Sequence, residues 1–217
     1  MKFKAIIFDM DGVLIDSMLY WVRNDTDFLK KYNLELTKEL VTEFSGKGLG
    51  EVAKLVKDRF NLPQSVEQIM ADNRGHSEDI YDTKTLPMPG ADMLLEKIKQ
   101  SNLKSAIASG SPLYRIEKIT DRFNWKDYFH HLVSVDHVDD RGKPDPSVYR
   151  HTAKLLKIHP SECVVVEDAQ NGVEAALSAG MKCVAIPDAR WSYGDFSKAD
   201  LIADSLVDPK LLTFLGL

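Results

Sequence analysis

Cysteine is scarce, with two in 217 residues, Cys163 and Cys183. Each falls in or beside an apolar, β-prone run, where a buried reduced thiol is expected rather than a disulfide framework. No apolar run approaches the roughly 18–20 residues that cross a bilayer. Basic residues are not in excess: 28 Lys and Arg against 33 Asp and Glu leave a net charge of −5. Such a chain offers no field to draw nucleic acid or an anionic membrane surface, and neither is an expected partner. Repeats and low-complexity tracts are missing. The six histidines include the adjacent pair His130–His131 but no metal-spaced pair on one helix face. Lys2 and Lys4 are followed by too short an apolar run, and then by acids, to make a secretory signal, so the cytoplasm is the expected compartment.

What the chain does have is alternation. From Ala91 onward, helical segments exchange with short apolar runs. Strands are expected at Ser105–Ala108, Leu132–Val135, Cys163–Val166, Lys182–Ile186 and, weakly, Leu201–Ile202. Helices are expected at Met93–Gln100, Tyr114–Arg122, Pro146–Leu156, Gly172–Ala179 and Lys210–Leu215. Short apolar strands alternating with helices imply a parallel sheet covered on both faces. The run Phe3–Phe8 supplies the first strand. Residues 17–83 read differently, with apolar positions at helical spacing: Trp21, Phe28, Leu29 and Tyr32, then Leu40, Val41 and Phe44, then Val52, Leu55, Val56 and Phe60. Ser65 is placed to cap a further helix at Val66–Met70. The expected fold is therefore α/β, a Rossmann-like doubly wound parallel sheet built from residues 1–16 and 84–217. An all-helical insert, residues 17–83, follows the first strand, with hinges near Asp16–Ser17 and Leu86–Gly90.

The first strand ends in Asp9–Met10–Asp11–Gly12. On an extended backbone two acids two residues apart project to one side. Like charges that close repel. A divalent cation resolves the conflict, and hard oxygens suit Mg²⁺. Alternatively one acid stays protonated while the other attacks as a nucleophile. A solvated strand end is the third reading. Other strand ends and loops add Ser109, Lys143, Glu167 and Asp168, and in a parallel sheet all of them face one edge, where ligands of open α/β sheets sit.

Four motifs carry these groups: Phe8–Asp9–Met10–Asp11–Gly12–Val13, Ala108–Ser109–Gly110–Ser111, Gly142–Lys143–Pro144–Asp145 and Val166–Glu167–Asp168. Together, and in this order, they resemble the haloacid dehalogenase superfamily. The nearest pattern is the subgroup with a helical cap after the first motif, which includes β-phosphoglucomutase and related sugar-phosphate phosphatases. The resemblance implies Asp9 as the nucleophile that takes a phosphoryl group and Asp11 as the acid and base that serves leaving group and water. It implies Ser109 and Lys143 as partners of the phosphoryl oxygens, and a Mg²⁺ site from Asp9, Asp11, Glu167 and Asp168. Gly110, Ser111 and Asn171 are implied neighbours of the substrate, and Lys47 is its contact from the cap loop Ser45–Gly48.

The mutase pattern is incomplete. Where those enzymes carry a cap histidine this chain reads Tyr20–Trp21–Val22, and where they carry a cap-loop arginine it reads Gly48–Leu49–Gly50. Hydrolysis of a small phosphate ester, by a monomer, is therefore the expected activity, with phosphoryl transfer between sugar hydroxyls as the alternative. A phospho-receiver module uses a similar set of groups, but it needs neither the helical insert nor the second acid.

Overall fold

The computed structural model describes residues 3–74 and 79–217; Met1, Lys2 and residues 75–78, the last within the expected insert, lie outside the described residues. Six parallel strands form one sheet: β1 Ala5–Phe8, β2 Lys104–Ser109, β3 His131–Ser134, β4 Cys163–Glu167, β5 Lys182–Ala185 and β6 Leu201–Ile202. Their order is β3-β2-β1-β4-β5-β6. Phe8 pairs with Ile107 on one side and Val166 on the other, so β1 lies at the centre and its carboxyl end at mid-edge. The period of two assigns the side chains to two cores. Ile6, Phe8, Ile107, Val164, Val166 and Val184 face one, while Ala5, Ile7, Ala106, Val165 and Cys183 face the other. Both cysteines are buried and free.

Helices α5 Ala91–Lys99, α6 Leu113–Arg122 and α9 Pro209–Leu215 cover the first face with Leu94, Leu95, Ile116, Ile119 and Leu211. Helices α7 Ser147–Leu156 and α8 Gln170–Ser178 cover the second with Val148, Tyr149, Ala153, Val173 and Ala176.

Between β1 and α5 the chain is helical: α1 Met18–Lys30, α2 Lys38–Phe44, α3 Leu49–Phe60, α4 Val66–Arg74, then a π-helical turn at Ile80–Lys84. This layer buries its own core of Phe28, Leu29, Leu40, Phe44, Val52, Val56 and Ile69. Its helix starts are capped locally. Thr37 Oγ1 accepts from Leu40 N at 3.3 Å, and Ser65 and Gln68 exchange backbone-to-side-chain bonds of 2.9 and 3.2 Å in a capping box. Where the chain leaves the sheet and returns, the two connectors pair. Asp16 N donates to Leu86 O at 3.0 Å, and Met88 N donates to Leu14 O at 2.8 Å. The helical layer, a cap on the sheet, is thereby tied at the edge where the polar strand ends converge.

Candidate active site

Asp9 follows β1 directly, and its amide still bonds the β4 carbonyl of Val166 at 3.0 Å. Its carboxylate is almost fully buried and meets Lys143 Nζ at 2.5 Å. Lys143 reaches in from the loop before α7. Its ammonium also donates to Glu167 Oε1 at 2.6 Å and to the Ala108 carbonyl at 3.3 Å. Burial alone would lower the lysine pKa, but the Asp9 and Glu167 charges outweigh it and hold the ammonium well above its ordinary value. Glu167, the last residue of β4, has both oxygens engaged. Oε1 accepts from Tyr149 OH at 2.5 Å as well as from Lys143, and Oε2 accepts from the amides of Asp168 and Ala169 at 3.0 and 3.2 Å. Asp168 Oδ2 accepts from Trp191 Nε1 at 3.0 Å.

Asp9, Glu167 and Asp168 offer carboxylate oxygens within 4.8 Å of one another, all buried. Against these three acids stands the Lys143 ammonium, so full ionisation leaves two negative charges unbalanced. Burial is the main cause that pushes the Asp9 carboxyl up to about 7; Lys143 opposes the rise, while Glu167 and Asp11 add to it. Burial, with Glu167 and Asp9, also raises Asp168 well above the usual carboxylate range. Hard oxygens with a surplus of two charges suit a divalent cation such as Mg²⁺.

Asp11 stands apart from that cluster and accepts only hydroxyl donors among the described residues. Ser17 Oγ lies 2.6 Å and Tyr81 OH 2.8 Å from Oδ1, and Ser111 Oγ lies 2.8 Å from Oδ2. Trp21 Nε1 in turn donates to Tyr81 OH at 2.9 Å. A carboxylate held by rotatable O–H groups can change protonation without losing its partners, since each hydroxyl can also accept.

Gly12 makes the turn possible. It sits at φ +88°, and a Cβ there would stand 2.2 Å from Asp168 Oδ2. Gly12→Ala is therefore expected to lower stability by about 1–3 kcal/mol and the activity of the folded fraction by at least about tenfold, since Asp168 must move. Thermal melts and turnover normalised to folded protein check this.

The polar groups open into a cavity of about 100 Å³. Its floor is Asp9, Asp11, Ser109, Gly110, Ser111, Lys143, Glu167 and Asp168; its roof is largely apolar, from Trp21, Val22, Val41, Phe44, Leu49 and Val52. Ser109 is buried there, its Oγ accepting from Ser111 N at 3.0 Å. Lys47 lines the cavity too, but its Nζ donates to the Lys143 carbonyl at 3.2 Å. Asn171 is not on the cavity wall; its amide holds the cap, donating to the carbonyls of Thr42 and Ser45 at 2.9 and 3.0 Å. Cap and sheet edge are in tight contact: Gly46 O accepts from Lys143 N at 3.0 Å, and a Cβ on Gly110 would come within 2.6 Å of that same oxygen.

Sequence reasoning overlooks several groups. Tyr149 and Trp191 hold Glu167 and Asp168 from other elements, and Tyr81 holds Asp11 from a stretch with no motif. Asp25, Asn73 and Arg115 complete the cavity wall. Only Asp25 carries a signal, four residues beyond Trp21 on the same face of α1.

A central-strand aspartate paired to a buried lysine, beside further acids and under a helical insert, defines a hydrolase of the phosphatase type. Residues 6–186 match the family model of haloacid dehalogenase-like hydrolases, and the chain belongs to that family. It is 31% identical over 220 residues to hexitol phosphatase B of Escherichia coli K12, covering 98% of this chain and 96% of the relative. It is 30% identical over 214 residues to (DL)-glycerol-3-phosphatase 2 of Arabidopsis thaliana, covering 94% and 88%. In fold it is similar to the β-phosphoglucomutase structure from Clostridium difficile, with a TM-score of 0.81 at 21% identity over 98% and 96% of the two chains.

Proposed function

We propose that this protein is a Mg²⁺-dependent phosphatase that hydrolyses a small sugar or polyol phosphate through an aspartyl-phosphate on Asp9. The observation that carries the reading is the 2.5 Å ion pair between Lys143 and a buried Asp9, at the floor of a cavity that a second acid, Asp11, also lines. Lys143 favours the ionised, nucleophilic form of Asp9 and opposes the charge of the incoming phosphoryl group. An Asp9 oxygen attacks phosphorus; the bond from phosphorus to the ester oxygen breaks, and Asp11 gives that oxygen its proton. The alcohol leaves. Asp11, now ionised, takes a proton from water, whose oxygen attacks phosphorus; the bond to Asp9 breaks and inorganic phosphate is released. Ser109 and Gly110 sit on the phosphoryl side of the cavity.

Asp9 and Asp168 would hold Mg²⁺, together with the Asp11 backbone carbonyl. Glu167, its oxygens already filled, orients Lys143. When bound, the cation supplies charge neutralisation, much of what phosphoryl transfer requires. The family match, the hexitol and glycerol phosphatase relatives and the surplus of two charges support this reading.

Phosphate release from a panel of sugar and polyol monophosphates, with and without Mg²⁺, tests it. Mg²⁺-dependent release is expected; interconversion of glucose 1- and 6-phosphates without release would favour the mutase.

Mg²⁺ should also stabilise the fold in a pH-dependent way. Asp9 has a folded pKa raised from 3.8 to about 7. Its contribution to metal-free stability is fully present below about pH 4 and is lost as pH rises through about 7. A cation that binds the ionised cluster reverses that loss. The increase in melting temperature on adding Mg²⁺ is expected to be larger at about pH 8 than at about pH 5.5. A shift of equal size at both would remove the acid cluster from the metal site.

A further inference from the structure

The roof of the cavity is largely apolar, and its polar members include a carboxyl and an amide. Asp25 on α1 and Asn73 on α4 both line it. Asn73 is 1% exposed. Its side-chain oxygen and its backbone carbonyl both accept from Asn24 Nδ2, at 2.8 and 3.0 Å, which fixes the amide with its nitrogen as the remaining donor. Among the described residues that nitrogen has no acceptor. An amide donor on a cavity wall, without a protein acceptor, is available to a ligand there.

Asp25 is half-buried, and the Asn24 side chain is the neighbour that eases its charge. Burial nevertheless pushes its carboxyl up to about 7. Asp25, whose side-chain partner is Asn24, and the Asn73 amide nitrogen, which has no acceptor among the described residues, present an acceptor and a donor to whatever fills the cavity. The cations on the same wall are engaged elsewhere. Lys47 Nζ bonds the Lys143 carbonyl at 3.2 Å. Arg115 Nε donates to Tyr114 OH at 3.1 Å, and its guanidinium lies over the rings of Trp21 and Tyr81 at 5.3 and 5.1 Å.

We propose that Asp25 and Asn73 form a subsite that reads the hydroxyl groups of the leaving alcohol, Asp25 accepting from one and Asn73 donating to another. The substrate class that fits is the monophosphate of a small, otherwise uncharged polyol; a second anion would meet the Asp25 carboxylate. This inference rests on the phosphatase reading for its floor, where the phosphoryl group docks.

The test compares kcat/KM of the intact protein and its Asp25→Ala and Asn73→Ala variants on three esters. These are a hexitol phosphate, p-nitrophenyl phosphate, whose leaving group has no further hydroxyls, and phosphoglycolate, whose leaving group carries a carboxylate. The ratio of hexitol phosphate to p-nitrophenyl phosphate is expected to fall at least about tenfold in each variant, through KM, because a site built to bond a hydroxyl loses most when that bond goes. The ratio is independent of how much of each variant folds. Asp25→Asn is expected to recover part of it.

Equal losses on both esters, or no loss on either, would overturn the subsite. So would a wild-type preference for phosphoglycolate, which would assign this wall to an anion. Should the wild type release phosphate from no ester at all, the phosphatase reading fails by itself. Calorimetric binding of hexitol phosphate to the Asp9→Asn protein then decides the subsite separately: binding weakened about tenfold by Asp25→Ala supports it, and unchanged binding ends it.

Discussion

Asp9→Asn is expected to reduce phosphate release by at least about 10³-fold, because the proposed mechanism needs an acyl-phosphate that the amide cannot form. The same substitution is expected to raise, not lower, the melting temperature of the metal-free protein at about pH 8. The two effects share one cause. Asp9 is buried beside Glu167 and Asp11, and its pKa of about 7 shows that its charge costs the fold more than the Lys143 ion pair returns. Asparagine keeps the shape and discards the charge. Lys143 retains Glu167 at 2.6 Å, so no cation is stranded. Turnover assays with scanning calorimetry, with and without Mg²⁺, check both halves. Residual activity above about a hundredth of wild type would place the nucleophile elsewhere, and a drop in melting temperature would show that the ion pair outweighs burial.

The legible part of the molecule was its periodic part. Every strand expected after Ala91 is present within a residue or two, because short apolar runs bounded by Gly, Pro and polar clusters have few other uses in a chain of this composition. Leu201–Ile202, which looked weak, is indeed a two-residue edge strand. Asp9, Asp11, Ser109, Lys143 and Asp168 converge because a parallel sheet puts all its carboxyl ends on one edge, so strand-end residues need only order and spacing to be found. What failed to show were contacts set by side-chain rotamers and by elements far apart in sequence. Tyr81 reaches Asp11 across 70 positions, and Asn24 reaches Asn73 across 49. Neither belongs to a periodic pattern. Asn171 misled for the opposite reason. Its position after the Glu167–Asp168 motif suggested the substrate, yet its amide bonds the end of α2 and holds the cap to the sheet.

The cap thus joins the sheet in two ways. The paired connectors at Asp16–Leu86 and Leu14–Met88 are covalent neighbours of the insert and bond to one another where the chain leaves and rejoins the sheet. The bonds from Gly46, Lys47, Glu51 and the α2 carbonyls to Lys143, Gly142 and Asn171 join the cap to the sheet edge beside the cavity. Two of those bonds end on Lys143 itself, through its amide and its carbonyl. The residue that neutralises Asp9 is therefore also a point where the cap rests, its main chain bonded to the cap and its ammonium to Asp9.

Lys143→Met tests how much depends on that placement. Methionine keeps most of the stem's volume and removes the ammonium that faces three carboxylates. Removing one partner of a buried pair leaves uncompensated charge, at a cost of about 3–5 kcal/mol. Here the cost should depend strongly on pH. Asp9 and Asp168 already have raised pKa values with Lys143 present, and its loss raises both further. At about pH 5.5 protons replace the missing cation and the variant is expected to melt close to wild type, whereas at about pH 8 the acids must ionise or stay protonated against the solution, and the deficit is largest. Activity should fall by at least about 10³-fold at every pH, because in the proposed mechanism protonated Asp9 cannot attack and ionised Asp9 now repels the phosphoryl group. Adding Asp9→Asn to Lys143→Met should return part of the stability at about pH 8 and none of the activity, the non-additive pattern of groups that act as one unit. Denaturant titrations at the two pH values, on both single variants and the double, decide it. A stability deficit that did not change with pH would mean Lys143 acts by packing under the cap and not by charge.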